Sequence, residues 1–72
     1  MNTSTRHQAT AQIARYFDYG HLPPHLAAVS KVLHDAAEQL LDHVSDGPET
    51  TAGLRKLLEA KDCFVRAALD KD

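Results

Sequence analysis

Two runs of apolar residues at steps of three and four most constrain what this chain can become. Leu26, Val29, Leu33, Ala37, Leu40, Leu41 and Val44 form the first run. Leu54, Leu57, Leu58, Phe64, Val65, Ala68 and Leu69 form the second. That spacing is the stripe of an amphipathic helix, because about 3.6 residues make one turn. Between the runs stands Ser45-Asp46-Gly47-Pro48. Gly47 suits a helix end and Pro48 a helix start, with Asp46 or Gly47 as the cap. Pro24 likewise suits a first turn, where a missing N–H costs nothing. The expected fold is therefore all-α: one domain over 1–72, an antiparallel helical hairpin of helices 24–44 and 48–69. Lys31, Asp35, Glu38, Gln39 and Asp42 take the polar face of the first helix, with His34 at its edge.

An arm over 1–19 precedes the hairpin. Thr5-Arg6-His7-Gln8 has the form of a capping box, and Ala9, Ile13 and Tyr16 or Phe17 follow at helical spacing. A short helix is expected there, broken by Gly20 and by Pro23-Pro24, which impose an extended backbone. On the second long helix, Arg55 with Glu59 and Asp62 with Arg66 are opposite charges four residues apart.

Size adds a constraint. At 72 residues, a core seldom supplies more than ~3–5 kcal/mol. Disulfides within the chain are excluded, since Cys63 is the lone cysteine. Each long helix also carries an apolar arc wider than one facing helix covers. Part of it must meet the arm or another chain, so a homo-oligomer is expected. Of Tyr16, Phe17 and Tyr19, one or two should plug the open end of the hairpin.

Charge narrows the function. A formal net charge of −2 lacks the basic surplus of a duplex-binding domain. No run reaches the ~18 apolar residues of a membrane helix, and Met1 to Gln8 lacks the apolar segment of a signal peptide. A cytoplasmic setting is expected, without membrane or duplex nucleic acid as partner. Catalysis is not expected. Cys63 falls opposite the apolar arc with no base beside it, the glycines are too scattered for a phosphate loop, and the acids lie on solvated faces. Metal is not expected either: His21 and His25 are four apart, but Pro23 and Pro24 between them exclude a shared helical turn.

Two positions invite a ligand. Lys61 sits near the centre of the arc set by Leu54, Leu57, Leu58, Phe64 and Val65. Its amine must snorkel to water along its own stem, pair, or face an anion in a pocket between chains. Tyr19 lies on a rigid, irregular stretch beside Gly20, where a ring can stack on a planar ligand.

The stretch Phe17-Asp18-Tyr19-Gly20-His21-Leu22-Pro23, a following helix with Val29-Ser30, then Leu54-Arg55-Lys56-Leu57-Leu58-Glu59-Ala60-Lys61-Asp62 and Val65-Arg66-Ala67 resembles the small phage proteins of the anti-CBASS cyclic-oligonucleotide sponge family. The likeness spans about Phe17 to Leu69. It implies a helical hairpin assembled as a hexamer in the host bacterial cytoplasm. It implies immune evasion by binding, without cleavage, of cyclic dinucleotides such as cyclic GMP-AMP and of cyclic trinucleotides. Effectors of the bacterial defence are then not activated. Dinucleotides are expected between paired chains and trinucleotides in separate pockets. By position, Tyr19 is the stacking ring, and Lys31 or His34 the group that meets phosphate. A histidine there departs from the basic residue usual in the family and would make binding pH-dependent. With Lys61 and Arg66, these complete the expected ligand-binding set; no cofactor and no metal is implied. The competing readings are a small helical DNA-binding regulator and a protein–protein adaptor.

Overall fold

The backbone chemistry at three prolines sets the boundaries of the long helices. In a computed structural model, which describes residues 1–70, the elements are α1 (Gln8–Ala14), a 3-10 turn (Arg15–Phe17), α2 (Pro24–Leu41) and α3 (Pro48–Leu69). No strand occurs among the described residues. Pro23 is held extended by the proline after it (φ −56°, ψ 153°), and its carbonyl accepts from the N–H groups of Leu26 and Ala27. Pro48 opens α3 behind Gly47, whose backbone is extended (φ 161°, ψ 177°). No residue with a left-handed backbone occurs among those described, so neither Gly20 nor Gly47 uses the freedom that glycine offers.

The start of α1 corrects the sequence expectation. Its cap is His7, not Thr5: the His7 Nδ1 accepts from the Ala9 N–H at 3.1 Å, and Thr5 is exposed in the turn before it. The end of α2 is a second correction. The helix stops at Leu41 and not at Val44. Arg6 from the arm explains the stop, because its guanidinium donates to the carbonyls of Leu41 and of Val44 (2.9 Å to the latter). A cation on the open carbonyls of a C-terminus satisfies them and favours the negative end of the helix dipole. Arg6 also pairs with Asp46 at 3.1 Å, and the other Asp46 oxygen accepts from the His7 N–H at 2.7 Å. Asp46 therefore caps the arm and leaves the start of α3 to Gly47. The first of these contacts, the His7 N–H, and then the Arg6 charge hold the Asp46 carboxyl below the usual carboxylate range.

The two long helices pack as a hairpin, and α1 leans on α3. Phe17 is completely buried and forms the core with Ala37, Leu41 and Leu54; Ile13, Leu33, Leu57 and Leu58 pack around them. Of the three rings, Phe17 alone is the plug. Tyr16 stays exposed and Tyr19 is half-buried. Four residues counted in the apolar runs, Leu40, Val44, Phe64 and Leu69, are 45–60% exposed. Val32 on the outer side of α2 is 66% exposed. The arcs are thus wider than the hairpin and α1 cover. The charge pairs expected on α3 form no salt bridge among the described residues; the lysine–carboxylate pair that does form is Lys31–Asp35 on α2. Among the described residues, no helix is long and apolar enough to cross a membrane.

Candidate ligand-binding site

Tyr19 follows the 3-10 turn that anchors Phe17, and its carbonyl accepts from the Leu22 N–H at 3.1 Å. The segment is thereby pinned at both sides: by a buried ring on one and by Pro23-Pro24 on the other. This pinning lays the Tyr19 ring against His34 of α2. The centroids are 5.1 Å apart with the planes at 74°, an edge-to-face pair. His34 has only 12% of its side chain exposed. Its Nδ1 lies 3.1 Å from one Asp35 oxygen, and its Nε2 lies 3.9 Å from Glu38.

Lys31 stands one turn before Asp35 and donates to the other Asp35 oxygen at 2.6 Å. That bond raises the affinity of Lys31 for its proton, and the charges of Asp35, Tyr19 and Glu38 add to the effect. Asp35 is lowered in turn, first by Lys31 and then by His34. Both partners are well exposed, so the pair adds little to stability. Its consequence is local: one carboxylate engages both groups that could receive a phosphate.

The structure thus brings Tyr19, Lys31 and His34 together. Lys61 and Arg66 make their contacts elsewhere. The Lys61 Nζ donates to the Tyr16 carbonyl at 2.6 Å. The amine of the apolar arc is thus paired, with a backbone carbonyl of its own chain. Arg66 is exposed, with Nη2 3.4 Å from the Cys63 sulfur.

Sequence reasoning missed two residues at this site. Asp35 was placed on the solvated face, although its spacing from Lys31 already announced the ion pair. Ser30, one turn before His34, is fully buried, and its hydroxyl has no partner. A serine within an apolar helix pattern carries no signal that distinguishes it from a small packing residue. Each acid of the cluster already has a cation: Lys31 pairs with Asp35, and the Met1 ammonium lies 3.5 Å from Glu38. The arrangement can stack a base on Tyr19, but an anion there needs His34 in its charged form, release of Lys31 from Asp35, or a cation from elsewhere. Among the described residues, no group of three or more His, Cys, Asp or Glu is gathered closely enough to hold a metal ion. No protein-family model, curated protein or solved structure matches this chain.

Proposed function

We propose that the chain is a sponge for cyclic oligonucleotides. It binds cyclic di- and trinucleotide second messengers as a self-assembled oligomer, does not cleave them, and so withholds them from effectors of bacterial antiphage defence. The observation that carries this reading is the ring of Tyr19, pinned edge-to-face against His34 and one helical turn from Lys31. A base stacked on such a ring gains ~1–3 kcal/mol. A phosphate on the ribose that carries the base would then fall near Lys31 and His34 of α2.

Lys31 and the Met1 ammonium are both engaged, by Asp35 and by Glu38. Self-association can bring a further cation for the phosphate from a second chain. The exposed Val32, Leu40, Val44, Phe64 and Leu69 favour such an assembly, and the family resemblance implies six chains. A phage origin and action in the host bacterial cytoplasm belong to the same proposal. Lys61 joins a pocket only by giving up the Tyr16 carbonyl; Arg66 is free to turn from Cys63.

A thermal-shift series with cyclic GMP-AMP, a cyclic trinucleotide and duplex DNA tests the reading. A ligand that binds only the folded state raises the midpoint. The sponge reading requires a rise with at least one cyclic oligonucleotide and none with duplex DNA. The reverse pattern would make the chain a DNA-binding regulator. A protein–protein adaptor is favoured by one separate feature, an apolar groove of about 530 Å³ between α2 and α3 that includes Leu40, Val44, Leu57 and Ala60.

A further inference from the structure

A second cleft, of about 460 Å³, opens at the hairpin turn between the start of α1 and the first two turns of α3. Its size is within the ~300–1,000 Å³ common for small-molecule sites. Its donors include the unpaired amides that every helix start carries. The helix α3 is 22 residues long, and its cap Gly47 offers no side chain. Pro48 has no N–H, and the amides of Glu49 and Thr50 have no acceptor among the described residues. Free amides at the positive end of a long helix form an anion receptor.

An independent feature of α1 points to the same place. The Thr10 side chain lines the cleft, is only 1% exposed, and its hydroxyl has no hydrogen-bond partner. A buried hydroxyl left empty is costly, and a valine of the same shape would avoid the cost. Arg55, two turns into α3, also lines the cleft and forms no salt bridge among the described residues. His7 contributes a further donor. Its Nδ1 accepts from the Ala9 N–H, so the proton of the neutral ring resides on Nε2.

Asp46 is the acid that lines this cleft. Its oxygens already accept from Arg6 and from the His7 N–H, and Arg6 balances its charge. Thr10 is near enough to help depress the Asp46 carboxyl, although its hydroxyl does not meet that acid in hydrogen-bond geometry. Glu49 lies on the other side, in the groove with Leu40 and Val44.

We propose that this cleft binds a phosphate monoester, received by the first-turn amides of α3, the Arg55 guanidinium and the Thr10 hydroxyl. A monoester presents three terminal oxygens and up to two charges, which suits several donors drawn from α3 and α1. Ala9, Pro48 and Ala52 supply apolar walls for an organic portion. Cyclic oligonucleotides carry only diesters, so this site is separate from the one at Tyr19 and does not rest on it.

The test is amide NMR of the full chain, titrated with inorganic phosphate and with adenosine monophosphate at ionic strength fixed by sodium chloride. Saturable shifts at His7, Glu49 and Thr50 are expected with phosphate. Tighter binding of adenosine monophosphate assigns the site to organic phosphates; equal affinity assigns it to free phosphate. Arg55→Gln should weaken binding about tenfold, the loss of a charge-assisted bond. Thr10→Val should weaken it several-fold while the unliganded chain melts no lower. Were Thr10→Val to unfold the chain, the exposed Arg55 variant still decides the matter. Shifts that follow chloride equally, or that never saturate, overturn the proposal, as does unchanged affinity in a folded variant. Cyclic GMP-AMP should leave these amides unmoved, whether or not it binds at Tyr19.

Discussion

The Lys61 ammonium donates to the Tyr16 carbonyl at 2.6 Å, joining residues 45 apart in the chain. This bond ties α3 to the 3-10 turn that carries Phe17 into the core. It accounts for a charge at the centre of an apolar arc. The amine closes the Tyr16 carbonyl near the end of the arm.

Replacement of Lys61 by methionine should therefore destabilise the chain, by about 0.5–1.5 kcal/mol, the usual net worth of one hydrogen bond. A stem that merely reached water would give no loss, or a small gain, from the same change. Urea unfolding of both proteins separates the outcomes, and an unchanged midpoint would mean that the bond contributes nothing.

The tether of the arm should fail in acid. Asp46 is held below the usual carboxylate range by the His7 N–H and by Arg6. A carboxyl depressed in the folded state contributes stability above its unfolded pKa of about 3.9, and the contribution is lost as pH falls through the lower folded value. The protection factor of the His7 amide, taken against intrinsic exchange at each pH, should fall through that window before those of α2 and α3. In Asp46→Asn the His7 protection should already be low at neutral pH and show no step below pH 4. Protection that is equal in both proteins would remove Asp46 from this role.

The hairpin was legible in the sequence because periodicity and proline placement are local signals. Both read directly from Leu26 to Val44 and from Pro48 to Leu69. The arm was less legible because its contacts are remote. Nothing in Thr5-Arg6-His7-Gln8 reveals that Arg6 closes α2 or that Asp46 answers it from 40 residues away. Lys61 was correctly singled out as anomalous, but its partner is a backbone carbonyl, a group common to every residue and so invisible in a pattern of side chains. At the candidate site, Tyr19, Lys31 and His34 were named and do converge, whereas the restraint imposed on two of them by Asp35 appeared only with the geometry.

That restraint has a measurable consequence. Asp35 engages both Lys31 and His34, so a bound phosphate competes with its carboxylate. Asp35→Asn should tighten cyclic dinucleotide binding several-fold, and a following Lys31→Ala should abolish the gain if Lys31 is the receiving cation. If His34→Ala abolishes it instead, the phosphate contact belongs to the histidine. A loss of affinity in Asp35→Asn would show that the carboxylate orients the site and does not compete.

Self-association is the next expectation. Leu40, Val44, Phe64 and Leu69 expose apolar area that neither the hairpin nor α1 covers. Light scattering at micromolar concentration should give a mass several times the 7.9 kDa of one chain. Phe64→Lys or Leu40→Lys should lower it while helicity is retained. A monodisperse single chain in the wild type would leave no further cation for a phosphate at Tyr19 and weaken the sponge reading.

Tyr19 carries the central claim, and its removal tests it most directly. Titration calorimetry of a cyclic dinucleotide into the wild type and Tyr19→Ala, with chromatographic recovery of the ligand, addresses both stacking and sequestration. The wild type should bind, the ligand should be recovered intact, and Tyr19→Ala should lose ~1–3 kcal/mol, with Tyr19→Phe milder because the π-face survives. Equal binding heats in wild type and Tyr19→Ala, absence of binding across cyclic di- and trinucleotides, or recovery of a linearised ligand would contradict the account.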